Sequence, residues 1–351
     1  MAEIKSWVTK QDGLDNLRYT TRPMPEPKEG EVLVKINAVS INYRDTEVIM
    51  GLYNHHKSVG PAEDLVPCSD ICGSIVKPGG PWAKGQRVMA IFNQSHVVGQ
   101  IKEKDMASGL GLPLQGCLTE YRCFPAESLV AVPDYMTDEE ASCLPIASVT
   151  AWMAINGFQP IGQPIDNANA KTVLLQGTGG VSIAGLQIAH AAGLKTIVTS
   201  SSDSKLQQAA KLGADHGINY KSTPEWQEEV MRLTNNDGAD IIFETGGAQT
   251  LRKSFDCVAF GGIIVAIGYL SGKEDSSGES LHTNVLALRR NVTLKGIING
   301  PRERFEEMAE FYARKQIHPV IDKVFTFDQA KDAIKYLYSG SHFGKVVVKV
   351  A

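Results

Sequence analysis

The sequence predicts an α/β protein in two parts, a β-rich first region and a doubly wound parallel sheet. Three observations carry this. Before Pro133 the chain is a series of short alternating or apolar runs punctuated by Gly and Pro. From Thr137 to about residue 300, helical and strand periods alternate. Within that second part, residues 172–220 read as strand, glycine-rich turn, helix and strand.

Taken in order, residues 31–41 (EVLVKINAVSI) alternate as a strand with one buried face does. Further strands at 73–77, 87–92, 119–123 and 129–132 are joined by turn residues, a pattern that suggests a barrel-like first region. Thr137, Asp138, Glu139 and Glu140 supply the polar cap and early acids of a helix start. The run TVLLQ at 172–176 is a buried strand, and a helix then carries small and apolar residues from Ile183 to a stop at Gly193. Strands follow at 196–199, 239–244, 262–268 and 292–298. Residues 271–280 read as a polar, mobile loop, residues 301–316 as a helix, and residues 344–350 as a closing strand. There is no internal repeat.

Composition narrows the function classes. A chain of 351 residues is comfortable for two domains, and 43% hydrophobic with 21% charged residues is the balance of a soluble globular protein. Net charge is −4 with no basic block, which argues against nucleic acid as a partner. No signal-peptide core or membrane-length apolar run is present, so a cytoplasmic protein with no membrane partner is expected. The six cysteines (Cys68, Cys72, Cys117, Cys123, Cys143 and Cys257) form no dense framework and read as reduced thiols.

The turn Gly177-Thr178-Gly179-Gly180-Val181-Ser182 sits where a strand gives way to a helix. That context is the one in which a helix N-terminus binds a pyrophosphate, with phosphates expected on residues 179–181. Ser182 takes the third glycine position, where a small residue still lets helix and strand pack. Thr245, Gly246, Gly268 and Tyr269 follow two later strands and belong at the same sheet edge. An acid about 20 residues beyond the glycines would hold the ribose of NADH. Ser200 stands there instead, followed by Ser201, Ser202, Asp203 and Lys205. Hydroxyls with Lys205, closed by Tyr220, suit a 2′-phosphate, so NADPH (NADP) is expected over NADH. Asp203 counts against this, and the serines also read as a helix N-cap.

These features, with GEVLVKI at 30–36, SINYRD at 40–45, GQRV at 85–88, Leu144-Pro145, Thr150-Ala151 and FGKVV at 343–347, resemble the medium-chain dehydrogenase/reductase superfamily. The nearest likeness is to its zinc-independent quinone and enone reductase branch, and proteins called zinc-type alcohol dehydrogenase-like are similar. The resemblance implies a GroES-like catalytic domain over 1–147 and 300–351, a Rossmann domain over 148–299, and a homodimer, for which residues 262–268 are the nominated edge strand. It also implies a cofactor lying between the domains, its nicotinamide near Asn42, Tyr43 and Thr150, with Arg302 close by.

Zinc relatives hold a catalytic metal through Cys, His and Cys, at positions that correspond here to Asn42, Ser69 and Ile146. The structural-zinc lobe keeps only Cys117, and the spacing of Cys68, Cys72, Cys117 and Cys123 matches no common zinc signature. No metal is therefore expected. Without a Lewis acid, hydride delivery to a polarised acceptor is easier than alcohol oxidation. Tyr53 matches the proton donor of related enoyl reductases, Tyr43 borders the nicotinamide, and Asn42 would position the carboxamide or a substrate oxygen. Either tyrosine could instead be a half-buried aromatic. His55 and His56 read as solvated loop residues, Asp45 as structural, and residues 93–116 as a loop bordering the substrate pocket.

The expected function is zinc-independent, NADPH-dependent reduction of an activated C=C bond or a quinone. Rival readings are an NADP-dependent alcohol dehydrogenase or carbonyl reductase without zinc, a non-catalytic NADPH-binding or structural protein, and an accessory reductase acting on a carrier-bound chain.

Overall fold

The computed structural model describes residues 2–53, 64–166, 171–274 and 282–351. His55, His56 and residues 275–280 of the expected polar loop lie outside the described residues. The chain divides into two compact units, Met1–Val149 with Asn299–Ala351, and Thr150–Ile298.

The first unit opens with an antiparallel pair, β1 (Glu3–Val8) and β2 (Arg18–Pro23). The long β3 (Glu31–Ile41) leads directly into the short helix α1 (Tyr43–Ile49). Strands β4 (Asp70–Lys77), β5 (Arg87–Ala90), β6 (Tyr121–Pro125) and β7 (Leu129–Ala131) follow. Helix α2 (Asp138–Ser142) is capped by Thr137 Oγ1, which accepts from Glu140 N at 3.2 Å. A π-helical turn, Leu144–Ser148, then runs into α3 (Val149–Asn156).

The second unit alternates strands and helices: β8 (Thr172–Gln176), α4 (Gly180–Ala191), β9 (Lys195–Ser200), α5 (Asp203–Lys211), β10 (His216–Asn219), α6 (Trp226–Leu233), β11 (Ala239–Glu244), α7 (Ala248–Cys257), β12 (Val258–Ala266), α8 (Thr283–Arg289) and β13 (Thr293–Gly296). The chain then returns to the first unit as α9 (Arg302–Lys315), β14 (Ile321–Thr326), α10 (Ala330–Tyr338) and β15 (Lys345–Lys349).

In the first unit the seven-stranded sheet has the order β14-β15-β3-β4-β5-β7, with β6 also paired to β3. The last strand thus lies antiparallel against β3, with Val347 opposite Ser40. Apolar residues of β3, β4 and β15 share one core with Trp7, Phe124 and Ile334. In the second unit all six strands are parallel, in the order β10-β9-β8-β11-β12-β13. The chain winds outward from β8 to β10 and then crosses to β11 on the other side, so the sheet reverses direction between β8 and β11. Ligands of open α/β sheets bind beyond the strand ends at such a point. All five residues of β8 are buried, as a central strand covered on both faces requires.

The expected edge strand is corrected by this topology. Strand β12 is hydrogen-bonded on both sides, to β11 and β13, and the free edges belong to β10 and β13. An apolar run marks burial, and in a parallel sheet the most buried strands are the interior ones.

Helix α4 lies close on the sheet because of Gly185. A Cβ there would sit 2.7 Å from Phe243 Cε1 and 2.9 Å from Leu175 Cδ2. Gly185→Val should therefore push α4 off β8 and β11 and lower the unfolding free energy by about 1–3 kcal/mol. Urea denaturation of the variant checks this, and an unchanged midpoint would contradict the close packing.

Candidate functional site

The glycine turn of the second unit leaves room above itself. Gly177 adopts φ +77°, and a Cβ on Gly177 or Gly179 would meet no heavy atom within 4 Å. Gly179 is the N-cap of α4 and makes no side-chain cap hydrogen bond. The first N–H groups of this 12-residue helix therefore lack side-chain acceptors, the arrangement that binds phosphate. Thr178 is buried, and Ser182 turns its hydroxyl inward to Gln176 O at 2.7 Å.

Gly177 to Val181, Ser200, Ser201, Tyr220, Thr245, Gly246, Gly268 and Tyr269 all lie at or just beyond the C-terminal ends of β8 to β12, on one edge of the sheet. Ser200 is buried, its hydroxyl accepts from Ser202 N at 3.3 Å, and its carbonyl accepts from Tyr220 N at 3.0 Å. Ser202 caps α5 by accepting from Lys205 N at 3.4 Å, so Lys205 stands in the first turn beside the serines. The Asp203 carboxylate accepts from Asn219 Nδ2 at 2.7 Å. Thr150 is buried within α3.

Sequence reasoning missed what holds these turns. The Glu244 carboxyl, buried at the end of β11, collects Gln176 Nε2, Ser254 Oγ, Thr250 Oγ1 and the backbone N–H groups of Gly246 and Gly247. Gln176 Oε1 in turn accepts from Thr245 N at 3.1 Å and Gly246 N at 3.2 Å. The signal was a polar residue closing each of two apolar strands, Gln176 and Glu244.

In the first unit, Asn42 precedes α1 and Tyr43 begins it. Asn42 and Asp45 form a capping box at the start of α1, in which Asp45 Oδ2 accepts from Asn42 N at 2.8 Å. Asn42 Oδ1 accepts from the buried Lys345 Nζ at 2.6 Å, which also donates to Ile41 O at 3.0 Å. Asp70 lies 3.9 Å from that ammonium, and its carboxyl accepts from Ser69 Oγ at 3.2 Å and Ile146 N at 3.3 Å. Ile146 lies in the first turn of the π-helical segment, where N–H groups have no intrahelical acceptor. Lys345, another residue the sequence reading passed over, was visible only as a charge directly before the apolar run Val346-Val347-Val348.

This cluster does not fit a zinc ion. The three corresponding positions offer an amide oxygen, a hydroxyl and an aliphatic side chain, and Asn42 Oδ1 is already taken by an ammonium. Among the described residues, no group of three or more His, Cys, Asp or Glu could hold a metal. Burial pushes the Cys68 and Cys72 thiols well up, Cys117 to about 12 and Cys123 to about 11.

Tyr43 is half-exposed, and burial, helped by Glu47 and Tyr338, raises its phenol. Tyr53 is half-buried and packs on Val48, Leu65 and Leu112. The Arg44 guanidinium lies 4.7 Å from the Tyr53 ring centre and 4.6 Å from that of Phe92. Arg44 Nη1 also donates to Leu110 O at 3.0 Å, tying Tyr53 to the 93–116 segment. That segment is built into the unit: Asn93 Nδ2 donates to Asp105 O at 2.9 Å, and the carbonyls of His96 and Val97 accept from the first N–H groups of α9. Arg302, at the start of α9, donates to Glu127 O at 3.0 Å and pairs with Glu306 at 3.3 Å. The structure thus brings Asn42, Tyr43 and Tyr53 around α1, and gives Arg302 structural partners within its own unit.

Comparison with known proteins agrees with the fold. Residues 28–134 match the alcohol dehydrogenase GroES-like domain, and residues 180–314 match the zinc-binding dehydrogenase domain. A zinc-type alcohol dehydrogenase-like protein of Schizosaccharomyces pombe is 39% identical, with 96% of each chain covered. The 2-methylene-furan-3-one reductase of Solanum lycopersicum is 30% identical over 99% of this chain and 79% of its own. A crystal structure from Sinorhizobium meliloti 1021, assigned to an alcohol dehydrogenase, superposes with a TM-score of 0.86 at 35% identity, with 100% of both chains covered.

The acid beneath α1 yields a pH prediction. Burial raises the Asp45 carboxyl from 3.8 to about 6, against the opposing pull of Arg44, the Asn42 N–H and Lys345, with Asp70 adding to the rise. The folded state therefore binds this proton more tightly than the unfolded chain. Its contribution, on the order of 3 kcal/mol, is complete below about pH 4 and is lost as pH rises through about 6. Asp45→Asn should remove that loss, so the stability difference between variant and parent shifts in the variant's favour from pH 4 to 7. Urea unfolding across that range measures it, and parallel pH profiles would contradict it.

Proposed function

Because the chain belongs to the medium-chain dehydrogenase/reductase superfamily, we propose that it is a zinc-independent oxidoreductase that uses NADPH to reduce an activated C=C bond or a quinone. The observation that carries this reading is the cluster at the metal-ligand positions, where Asn42, Ser69 and Ile146 are engaged with Lys345 and Asp70. An alcohol needs a Lewis acid or strong base to lose its proton as hydride departs, and this cluster offers neither. An enone or quinone needs only donors for the oxygen that gains charge, and a proton source. The similarity to a furanone reductase supports the same substrate class.

When bound, the reduced nicotinamide supplies the hydride. The N–H groups of residues 179–181 would hold its phosphates, as their open, uncapped turn allows. Ser200, Ser201, Lys205 and Tyr220 would take the 2′-phosphate. Strand β9 ends in Ser200 rather than an acid, and Asn219 engages the nearby Asp203 carboxylate. Thr245, Gly246, Gly268 and Tyr269 would line the neighbouring strand ends, fixed from below by Glu244 and Gln176. On the substrate side, the β-carbon accepts the hydride, the π pair moves to the carbonyl oxygen as enolate, and the α-carbon takes a proton. Tyr53 is the first candidate for that proton and Tyr43 the second. The reading includes a homodimer, for which the free edge of β13, carrying the exposed Leu294, is the natural seam.

Titration by reduced-nicotinamide fluorescence should give NADPH at least about tenfold tighter binding than NADH, roughly 1.4 kcal/mol. Ser200→Asp should abolish that preference by setting a carboxylate against the 2′-phosphate. NADH-favoured binding by the parent protein would overturn the cofactor assignment. Chelator-treated protein should oxidise NADPH with enones or quinones, whereas a preference for oxidising simple alcohols would favour the alcohol dehydrogenase reading.

A further inference from the structure

The second strand of a dinucleotide-binding βαβ unit ends beside the adenosine ribose, and an acid at that end selects NADH. Here Ser200 ends β9, and the nearest acid that follows is Asp203, the first residue of α5. Within residues 200–205 and 219–220 it is the one carboxylate. Turned toward the ribose, that carboxylate would accept from the 2′-hydroxyl of NADH and repel the 2′-phosphate of NADPH. The fold gives it another partner. Asn219, the last residue of β10, donates from Nδ2 to Asp203 Oδ1 at 2.7 Å.

Two features make this more than a chance surface contact. The Asn219 amide has a fixed orientation, because Lys221 N donates to its Oδ1 at 3.0 Å and only the oxygen can accept. Nδ2 is therefore the group left to face Asp203. The backbone of Asn219 is held as well. Its carbonyl accepts from Thr223 N at 2.8 Å and from Ser222 Oγ at 3.1 Å. In the parallel pairing of β10 with β9, Asn219 stands opposite Ser200. The residue that engages Asp203 is thus joined by register to Ser200 and by the chain to Tyr220, two of the residues read above as 2′-phosphate ligands.

We propose that Asn219 is a specificity-determining residue of the cofactor site. It holds the Asp203 carboxylate against the end of β10, and so keeps the one acid of these stretches from binding the ribose of NADH or opposing a 2′-phosphate. The proposal rests on the NADPH reading above and gives that preference a second cause. Ser200 removes the acid from its usual place, and Asn219 restrains the acid that remains. Asp203 is exposed, so the repulsion it would exert when released is screened by salt.

Asn219→Ala, Asp203→Asn and the double variant Asn219→Ala/Asp203→Asn test it. Each is read by reduced-nicotinamide fluorescence as the ratio of the NADH to the NADPH dissociation constant, relative to the parent at the same salt. Asn219→Ala should lower that ratio about 3- to 10-fold at low salt, the scale of one exposed charge facing a phosphate. At about 1 M salt the loss should shrink, which a purely structural defect would not do. Asp203→Asn alone should stay within about twofold of the parent, since its charge is already held away. The double variant should return to about the same range. A double variant that stays low would mean that Asn219 acts only by shaping the 219–223 turn, and would overturn the proposal. A ratio that rises well beyond that range in Asp203→Asn would also overturn it, even where Asn219→Ala fails to fold. A parent that favours NADH overturns the cofactor reading and the proposal together. A parent that favours NADPH while Asn219→Ala keeps the same ratio overturns the proposal alone.

Discussion

A buried carboxyl must be given donors, because the protein interior cannot solvate it as water does, and that requirement organises both halves of this chain. In the second unit Glu244 gathers two hydroxyls, an amide and two backbone N–H groups. Those donors come from the end of β8, the turn after β11 and helix α7, so satisfying the acid also shapes the edge at which a dinucleotide would lie. In the first unit Asp70 gathers Ser69, the Ile146 N–H and the Lys345 ammonium. Each carboxyl thus fixes loops that would otherwise choose among several conformations, and such fixed polar frames are what electrostatic catalysis needs.

The loss of metal ligands reads differently in this light. A zinc site needs donor atoms at fixed distances and a ligand set whose charge suits a dication. Replacing Cys, His and Cys with Asn, Ser and Ile removes that set but leaves the aspartate beside it, which needs a counter-charge. Lys345 provides one, held by two hydrogen bonds as well as by attraction. On the proposed reading, a site without a Lewis acid suits acceptors that are already polarised.

Much of the fold was legible because the signals were local. The strands at 31–41, 172–176 and 239–244 have the predicted limits, since each is a continuous buried or half-buried run. The glycine turn and the Ser202 cap also announce themselves within a few residues. Strands β1, β2, β10 and β14 were not predicted; β2 and β14 are largely exposed and carry too little apolar periodicity. The choice of sheet edge failed because strand order is a long-range property. Lys345 was hidden for the same reason, as its partners Ile41, Asn42 and Asp70 are brought near only by the pairing of β15 with β3 and of β3 with β4. The anchors of the 93–116 segment, Asp105, Arg44 and α9, were not legible because they pair by side chain and backbone rather than by period.

On the proposed reading, the site works without a metal. Its most direct test is to measure zinc and other transition metals per chain in the purified, chelator-treated protein beside its NADPH-dependent turnover of an enone. The expected result is full turnover at a metal content far below one ion per chain, with no gain on adding zinc. Turnover that disappears with the metal and returns on adding zinc would contradict it.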